Sequence, residues 1–415
     1  MPLKKEISFE GDDYMTIISE ARETITESID KNRAQYLRIS HAIHENPEIG
    51  NEEVFASGLL TGLLEEAGFQ VEYGVAGHHT AFYAVRDSQK PGPTVAFLAE
   101  YDALPGIGHA CGHNIIGTTS VAAAIALSKT LELTGGRVVV LGTPAEEGGP
   151  NGSAKGSFVK HGLLEKIDAA LMLHPSGNSA VTGPSLAVDP LSFHFYGKPA
   201  HAAGSPEKGI NALDAVLQLF NGINALRQQL PDDARVHGII THGGDAPNII
   251  PEYASARFYI RGDSWKKTAE TAKKVRAIAE GAALATGARV EIERFQNEVK
   301  DLVVTPELDE ILKAELETLG DKVADSRISG LGSTDAGNIS YEVPTAHGYI
   351  KIGPESLIGH TEEFREAARS KAGDEALIKG AKALAQTGYR LLTEHALLAQ
   401  VKQAHIRSLA AKQQD

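Results

Sequence analysis

The chain has 415 residues, of which 42% are hydrophobic and 23% charged, and its formal net charge is -14. The length exceeds one typical domain and the composition is that of a globular protein, so we expect two domains with buried cores. The acidic balance argues against nucleic acid as a partner, because phosphate binding needs clustered Lys and Arg side chains. No apolar run suggests a membrane span, and the single cysteine, Cys111, excludes a disulfide framework and predicts a reducing, cytoplasmic location.

The first half of the chain predicts alternating strands and helices. Two helices with apolar periodicity come first, over residues 14–35 and 54–67. Strands and helices then alternate in the order strand 94–99, helix 114–133, strand 137–143, helix 154–160 and strand 168–174. This order predicts a mainly parallel sheet with right-handed crossovers and with helices on both faces.

The pattern changes near residue 190. Strands are predicted at residues 191–196, 236–241, 254–260 and 289–294, with helices at 209–230 and 265–286. This β-α-β-β-α-β order is the ferredoxin-like arrangement. The parallel rhythm then resumes with helix 306–319, strand 345–352 and a helix from about residue 373. We therefore predict an α/β catalytic domain, residues 1–189 and 304–415, that is interrupted by a smaller α+β domain, residues 190–303.

Side chains of the types that bind metals follow three of the predicted parallel strands. Asp102, His109, Cys111 and His113 come after the first strand, Glu146 and Glu147 after the second, and His174 after the third. Each motif alone has an ordinary explanation, since a free Cys is usually a small buried residue and a pair of Glu residues is usually solvated. Ligands of open α/β sheets, however, bind beyond the carboxyl ends of the strands. The occurrence of all three sets at adjacent strand ends therefore predicts a metal site.

The residue types at these strand ends suit a hydrolase. Zinc-type ions accept imidazole, carboxylate and thiolate ligands. Cys111 and His113 stand two residues apart, so an extended loop can direct both side chains into one cavity. Glu146 and Glu147 are neighbours that would point in different directions, so one can bind metal while the other faces the substrate water as general base.

Other interpretations remain open from the residues alone. Cys111 could be a nucleophile flanked by His109 and His113, but this role leaves the Glu pair and His174 unused. Nucleotide binding is disfavoured, because a Walker A loop is missing and residues 106–108 lack the third glycine of a dinucleotide fingerprint. The sequence also has no G-x-S-x-G elbow and no H-E-x-x-H helix. A non-catalytic binding or regulatory protein that keeps the fold is a further alternative.

Seven motifs give the chain a family resemblance that covers roughly residues 20–398. They are AEYDALP at 99–105, GHACGHN at 108–114, TPAEEG at 143–148, GKPAHAA at 197–203, PNIIP at 247–251, GSTD at 332–335 and GHTEEF at 359–364. In order and spacing they resemble the zinc peptidases and amidohydrolases that include aminoacylase-1 and carboxypeptidase G. Within these, the chain is similar to the branch with aminobenzoyl-glutamate hydrolase and the β-alanyl-lysine dipeptidase. Many relatives have Asp where this chain has Asn114, but the named branch commonly has Asn too.

The resemblance implies a site for two divalent ions, with zinc expected and manganese or cobalt as alternatives. The implied metal ligands are Cys111, His113, Glu147, His174 and His360. Glu146 corresponds to the general base, and Asp102 to a carboxylate that supports a ligand without binding metal itself. His360 is indicated by the resemblance alone, because a single His in a loop is usually an ordinary surface residue.

The resemblance also implies that the inserted domain is a lid and a dimerisation domain. His201 would stabilise the oxyanion, in many relatives from across a dimer interface. Asn248 and Arg261 are similar to residues that bind the substrate carboxylate or carbonyl, a task that suits the planar Arg side chain. We therefore expect a homodimer or higher homo-oligomer that hydrolyses the amide bond of a small N-acyl amino acid or dipeptide. The intact base and ligand set argue against the non-catalytic alternative.

Overall fold

The computed structural model describes residues 11–325 and 332–414, which form two β-sheets and their helices. The helices are α1 (Gly11–Lys31), α2 (Arg33–Glu45), α3 (Val54–Glu66), α4 (His113–Ser128), α5 (Leu131–Thr134), α6 (Ala154–Lys160), α7 (Ala212–Leu226), α8 (Trp265–Thr286), α9 (Pro306–Thr318), α10 (Ala336–Ser340), α11 (Glu362–Ala367), α12 (Lys371–Thr393) and α13 (His395–Gln414). The strands are β1 (Gln70–Tyr73), β2 (Phe82–Asp87), β3 (Thr94–Ala99), β4 (Arg137–Gly142), β5 (Ala169–Ser176), β6 (Ser179–Ala180), β7 (Ala187–Tyr196), β8 (Arg235–His242), β9 (Tyr253–Gly262), β10 (Arg289–Arg294), β11 (Val323–Ala324) and β12 (Thr345–Lys351). Of the helices in these described ranges, none has the length and apolar character needed to cross a bilayer.

The large sheet has eight strands in the order β1-β2-β4-β3-β5-β12-β6-β11. Its centre is parallel, because β3 pairs in parallel with β4 and β5, and β5 pairs in parallel with β12. Successive residues of β3 enter different apolar clusters. Val95 and Phe97 lie in a cluster with residues of α1, α4 and α12, whereas Ala96 and Leu98 lie in a cluster with residues of α6 and α10. The prediction of a mainly parallel sheet covered by helices on both faces is therefore confirmed.

The small sheet has four antiparallel strands in the order β10-β7-β9-β8. Leu219 of α7 and Val275 of α8 share an apolar cluster with Phe193 and Phe258 of the strands. The chain order β7-α7-β8-β9-α8-β10 is the ferredoxin-like order expected from the sequence. Because β7 begins at Ala187, it crosses the boundary proposed at residue 190, and the domain limits themselves stay a prediction.

The two chain segments that join the sheets lie side by side. The backbone N–H of Val188 donates to the carbonyl of Val299 at 2.7 Å, and the N–H of Val299 donates back to Val188 at 3.0 Å. Nearby, the Arg294 guanidinium Nε donates to Oδ1 of the buried Asp189 at 2.6 Å. The small sheet is thus connected to the large sheet through two segments that are hydrogen-bonded to each other.

Some elements differ from the sequence-based expectations. The strands β1, β2, β6 and β11 were not predicted, and β6 and β11 have only two residues each, too few to show a period of two. β1 is a mostly exposed edge strand, so it lacks apolar alternation. The single helix predicted over residues 14–35 is wrong, because the chain breaks at Asn32, whose side-chain amide donates to the Ser28 carbonyl at 2.8 Å. The helix predicted over residues 114–133 ends at Ser128 and is followed by α5.

A glycine allows α4 to pack closely against the end of β3. A Cβ atom at Gly117 would lie 2.7 Å from the carbonyl oxygen of Glu100 and 3.0 Å from Cδ1 of Leu60. The same helix begins at His113, and Glu100 directly follows β3. The close approach at Gly117 therefore sets the distance between two side chains of the candidate site described below.

We predict that Gly117→Ala destabilises the protein, because its methyl group would push α4 away from β3. Overpacking of this kind costs about 1–3 kcal/mol in the free energy of unfolding, which urea denaturation measures. The matched control is Gly58→Ala in α3, where an added Cβ meets no atom within 4 Å. That variant should be unchanged or more stable by about 0.4–1 kcal/mol. Equal stability of the two variants would contradict the packing argument.

Candidate metal centre

The parallel centre of the large sheet brings three loops to one edge. Glu100 and Asp102 follow β3, Glu146 and Glu147 follow β4, and His174 lies near the end of β5. Because β4, β3 and β5 are adjacent and parallel, their carboxyl ends lie side by side. The clustering that the sequence predicts at this rim is therefore a direct result of the strand order.

His113 is oriented by Asp102. Gly112 has a φ of 78° and ends the loop, so that α4 begins at His113. The His113 Nδ1 lies 3.0 Å from Asp102 Oδ1, and Asp102 Oδ2 accepts the backbone N–H of Glu147 at 3.0 Å. One buried carboxylate therefore holds both residues, and it directs the Nε2 of His113 towards the interior of the site.

The free face of His113 meets three carboxylates. Its Nε2 lies 3.5 Å from Glu100 Oε2 and 3.8 Å from an oxygen of each of Glu146 and Glu147. Within the part of the chain that the structure describes, neither the His113 Nε2 nor the Glu147 Oε1 has a hydrogen-bond partner, although both atoms are shielded from solvent. Buried polar atoms are rarely left unpaired in native proteins, so these atoms fit the ligand set of a cation.

His174 and Cys111 form the second side of the site. The Nδ1 of His174 lies 2.7 Å from the carbonyl oxygen of Pro175, so that nitrogen donates and the lone pair resides on Nε2. The Nε2 lies 3.4 Å from the Cys111 Sγ. Burial, followed by the charge of His347, lowers the pKa of His174 to about 3. The imidazole is therefore neutral, which is the form that binds a metal.

His360 completes the arrangement from the loop after β12. It has a φ of 63°, and its backbone N–H donates to the carbonyl of Ala110 at 2.9 Å, which ties this loop to the Cys111 loop. The His360 Nε2 lies 3.5 Å from Glu147 Oε2, and the side chain is 56% exposed. His360 therefore closes the site on its solvent side.

The side chains form two groups that share the thiol of Cys111. Cys111, His113 and His174 offer ligand atoms within 4.8 Å of one another, and so do Cys111, Glu147 and His360. All five residues that the family resemblance implied as ligands are thus brought together. A third group of the same kind contains Glu100, His113 and Glu146, and the sequence analysis did not consider Glu100.

The electrostatics of the site favour a cation. Burial, and then the negative charges of Glu100 and Glu147, raise the pKa of Glu146 well above its usual range. Burial and the Glu147 charge also raise the pKa of the Cys111 thiol, which disfavours a free nucleophilic thiolate. For His113, burial lowers the pKa, but the charge of Asp102 outweighs burial and raises it well above the usual value. An excess of buried negative charge is therefore balanced within the chain only by a protonated imidazole.

The backbone that presents Glu146 is held in an unusual conformation. Ala145 has a φ of 56°, and a non-glycine residue in this region costs about 1–3 kcal/mol unless its surroundings hold it there. Its N–H donates to the buried Glu53 Oε1 at 2.9 Å, while Thr80 Oγ1 donates to Glu53 Oε2 at 2.7 Å. Burial, and then the charge of Asp102, raise the pKa of Glu53 to about 7. Sequence reasoning missed Glu53, because burial of a single Glu leaves no pattern.

A cavity of about 600 Å³ opens over these residues. Cys111, Glu146 and Glu147 line its floor, and Arg261 at the end of β9 lines the side that the small sheet forms. The Nη1 of Arg261 donates to Ser333 Oγ at 2.7 Å. The structure therefore places Arg261 in the same cavity as the candidate ligands.

His201 and Asn248 are not brought to this cavity. Neither is among the described residues that line it, and both side chains belong to exposed residues. The Nδ1 of His201 accepts the backbone N–H groups of Ala203 and Gly204, at 3.2 and 3.0 Å. The Asn248 carbonyl accepts the N–H of Ala202 at 3.0 Å, so His201 and Asn248 lie close to each other. The single chain thus keeps these two residues together but away from the candidate ligands.

Comparison with known proteins gives matches along most of the chain. The model of peptidase family M20/M25/M40 matches residues 74–389. The Xaa-Arg dipeptidase of Mus musculus is 39% identical over 391 residues, which cover 91% of this chain and 90% of that protein. One of the chains of the p-aminobenzoyl-glutamate hydrolase of Escherichia coli is 38% identical over 288 residues, 64% of this chain and 59% of that protein. A solved dinuclear metal binding peptidase from Bacillus subtilis shares the fold, with a TM-score of 0.62 at 20% identity over 88% of this chain and 99% of that one.

We predict that His174→Ala loses bound metal, because it removes a neutral nitrogen from the group that contains Cys111 and His113. Elemental analysis after dialysis against zinc measures this loss. His161→Ala is the matched control, because His161 is an exposed residue at the end of α6 outside these groups. Zinc at a hundredfold excess over its Kd should raise the free energy of unfolding of the unaltered chain by about 2.7 kcal/mol, and that of the control equally. Equal metal content in the two variants would show that the cluster is not a metal site.

Proposed function

This chain belongs to peptidase family M20/M25/M40, and we propose that it hydrolyses the amide bond of a small dipeptide or N-acyl amino acid with the help of bound divalent metal. The observation that carries the proposal is the convergence of Cys111, His113, Glu147, His174 and His360 at one rim, with Glu146 beside them. A peptidase or amidohydrolase activity follows from the family, whereas the substrate, the base and the metal are the content of the proposal.

The two groups that share Cys111 would hold two ions, and the thiolate, imidazole and carboxylate donors suit zinc, with manganese or cobalt as alternatives. Bound metal would lower the pKa of a water molecule and polarise the carbonyl of the substrate. Asp102 keeps the Nε2 of His113 directed at the site, and the Pro175 carbonyl does the same for His174. These contacts hold the donors in position before metal binds.

Glu146 is the proposed general base. Its carboxylate lines the cavity and lies within 3.8 Å of the His113 Nε2, next to the ligands but outside the two groups that share Cys111. Glu146 accepts the proton of the attacking water and then donates it to the leaving amine. Cationic metal nearby would stabilise the ionised carboxylate, which is the form that accepts the proton.

Arg261 is proposed to bind the carboxylate of the substrate. Its guanidinium group lines the cavity from the side opposite the candidate ligands, and guanidinium can bind carboxylate through two parallel hydrogen bonds. A terminal carboxylate held there would orient the preceding amide bond towards Glu146. The mouse relative named Xaa-Arg dipeptidase makes dipeptides that end in arginine the first substrates to test.

His201 and Asn248 are proposed to complete the site from a second copy of the chain, or after closure of the small sheet over the cavity. Their distance from the cavity supports this idea, because neither residue can touch a substrate there in the single chain as it stands. β8 is an edge strand of the small sheet, and its Ile239 and Ile240 are 64% and 42% exposed. Exposed apolar edges of this kind are suited to pairing with another chain, which supports a homodimer through the small sheet.

We predict that Glu146→Gln keeps its metal but loses turnover, because the amide cannot accept the water proton. The kcat should fall by about 10²–10⁴-fold for Xaa-Arg dipeptides, while elemental analysis shows unchanged metal. Glu310→Gln, on the exposed side of α9, is the matched control and should keep its kcat. Full activity of Glu146→Gln would remove the base assignment, and hydrolysis that resists chelators would remove the metal from the proposal.

Mixing two inactive variants tests whether His201 acts across a dimer. His201→Ala should lower kcat by about 10²–10³-fold. If His201 serves the partner's site, a mixed dimer of His201→Ala and Glu146→Gln contains one intact site. Equal mixing after reversible dissociation should then restore about a quarter of the normal activity, since half of the dimers are mixed. If no activity returns although light scattering shows dimers, His201 acts within its own subunit.

A further inference from the structure

A lysine is fully buried behind the candidate ligands. The Nζ of Lys155 donates to Glu100 Oε1 at 2.7 Å and to Asp335 Oδ1 at 2.5 Å, and all three side chains are shielded from solvent. Burying an ammonium group costs several kcal/mol unless carboxylates and hydrogen bonds compensate. The position of this charge therefore needs an explanation beyond packing.

Lys155 links three loops of the site. It lies in the first turn of α6, which follows the Glu146–Glu147 loop after Ser153, a residue with a φ of 62°. Its backbone N–H also donates to Asp335 Oδ2 at 3.1 Å, so Asp335 is bound twice by the same residue. Glu100 belongs to the loop after β3, and Asp335 to the GSTD motif before α10.

We propose that Lys155 is a positioning residue for hydrolysis, which acts on the metal ligands through Glu100 and on the substrate-binding Arg261 through Asp335. This inference rests on the proposed function. On the Glu100 side, Lys155 occupies one carboxylate oxygen, while the other oxygen lies 3.5 Å from the His113 Nε2. Lys155 thus sets the orientation of a negative charge that faces the ligands.

On the Asp335 side, the chain of contacts reaches the substrate cavity. Ser333, two residues before Asp335, accepts the hydrogen bond of the Arg261 guanidinium group at 2.7 Å. Ser333 and Asp335 both line the cavity with Arg261. Since Lys155 holds Asp335 by side chain and backbone, it fixes the loop against which Arg261 is placed.

The charges around the site agree with this role. Burial raises the pKa of Glu100, but the charge of Lys155 outweighs it and lowers the pKa to about 2, so the carboxylate stays ionised. Burial lowers the pKa of Lys155, but Asp335 and Glu100 together raise it above its usual value. A fixed cation therefore lies within a cluster that otherwise contains an excess of carboxylates.

The first test compares Lys155→Met with a matched control, Arg22→Met. Arg22 binds the buried Glu315 at 2.5 Å, and neither residue lines the cavity, so the control also strands a buried carboxylate. Both variants should lose stability. Folded, metal-loaded Lys155→Met should lose about 10–100-fold in kcat, as losses of groups behind metal ligands typically do, and Arg22→Met should keep its kcat. A wild-type kcat and KM in Lys155→Met would overturn the proposal.

Two nearly isosteric variants keep the test decisive if Lys155→Met does not fold. Glu100→Gln should lower kcat with little change in KM. Asp335→Asn should mainly raise KM for substrates with a free carboxylate, and less for the same substrates with an amidated end. Unchanged kinetics in both variants would overturn the proposal.

A spectroscopic measurement separates this inference from the proposed function. The visible absorption bands of the cobalt-loaded protein report the geometry of the ligands and need no substrate. We expect altered bands in Lys155→Met and Glu100→Gln, and wild-type bands in Arg22→Met. If the unaltered protein cleaves none of the tested dipeptides, the proposed function fails, and the cobalt bands still decide on Lys155. Wild-type bands in both Lys155→Met and Glu100→Gln would overturn the ligand side of the proposal.

Discussion

The side-by-side, parallel pairing of β4, β3 and β5 is the constraint on which the site depends. It collects at one edge loops that are far apart in the chain, and these loops carry more carboxylates than the chain balances with its own cations. Asp102 shows how the crowding is managed, because one carboxylate orients His113 and also binds the backbone of Glu147. Membership of peptidase family M20/M25/M40 and the donor set point to the same resolution, which is bound divalent metal.

The sequence was sufficient for the parts of the site that follow regular strands. Cys111, His113, Glu147 and His174 could be found because each follows a strand with a clear apolar pattern. His360 was named only through the family resemblance, although the strand predicted at 345–352 is a neighbour of β5 and its end carried a usable signal. Lys155 and Glu53 could not be found, because burial of a charged side chain depends on tertiary contacts that local patterns do not encode.

The inserted sheet explains why other expectations stay predictions. Its ferredoxin-like order was readable from element order alone, but the position of His201 and Asn248 relative to a substrate depends on how sheets or chains move together. Arg261 differs from them because it stands at the end of β9, close to the joint between the sheets, where it already contacts Ser333. The dimer, the domain limits and the cytoplasmic location are matters that the fold of one chain leaves to experiment.

The paired hydrogen bonds between Val188 and Val299 have a mechanical consequence. A domain attached by one strand can swivel freely, whereas two strands bonded to each other behave as a ribbon that bends across its flat face and resists torsion. The small sheet is therefore restricted to a rocking motion about one axis. Such a joint returns Arg261 to the same place after every opening, so that substrate exchange does not scramble the alignment of the cavity.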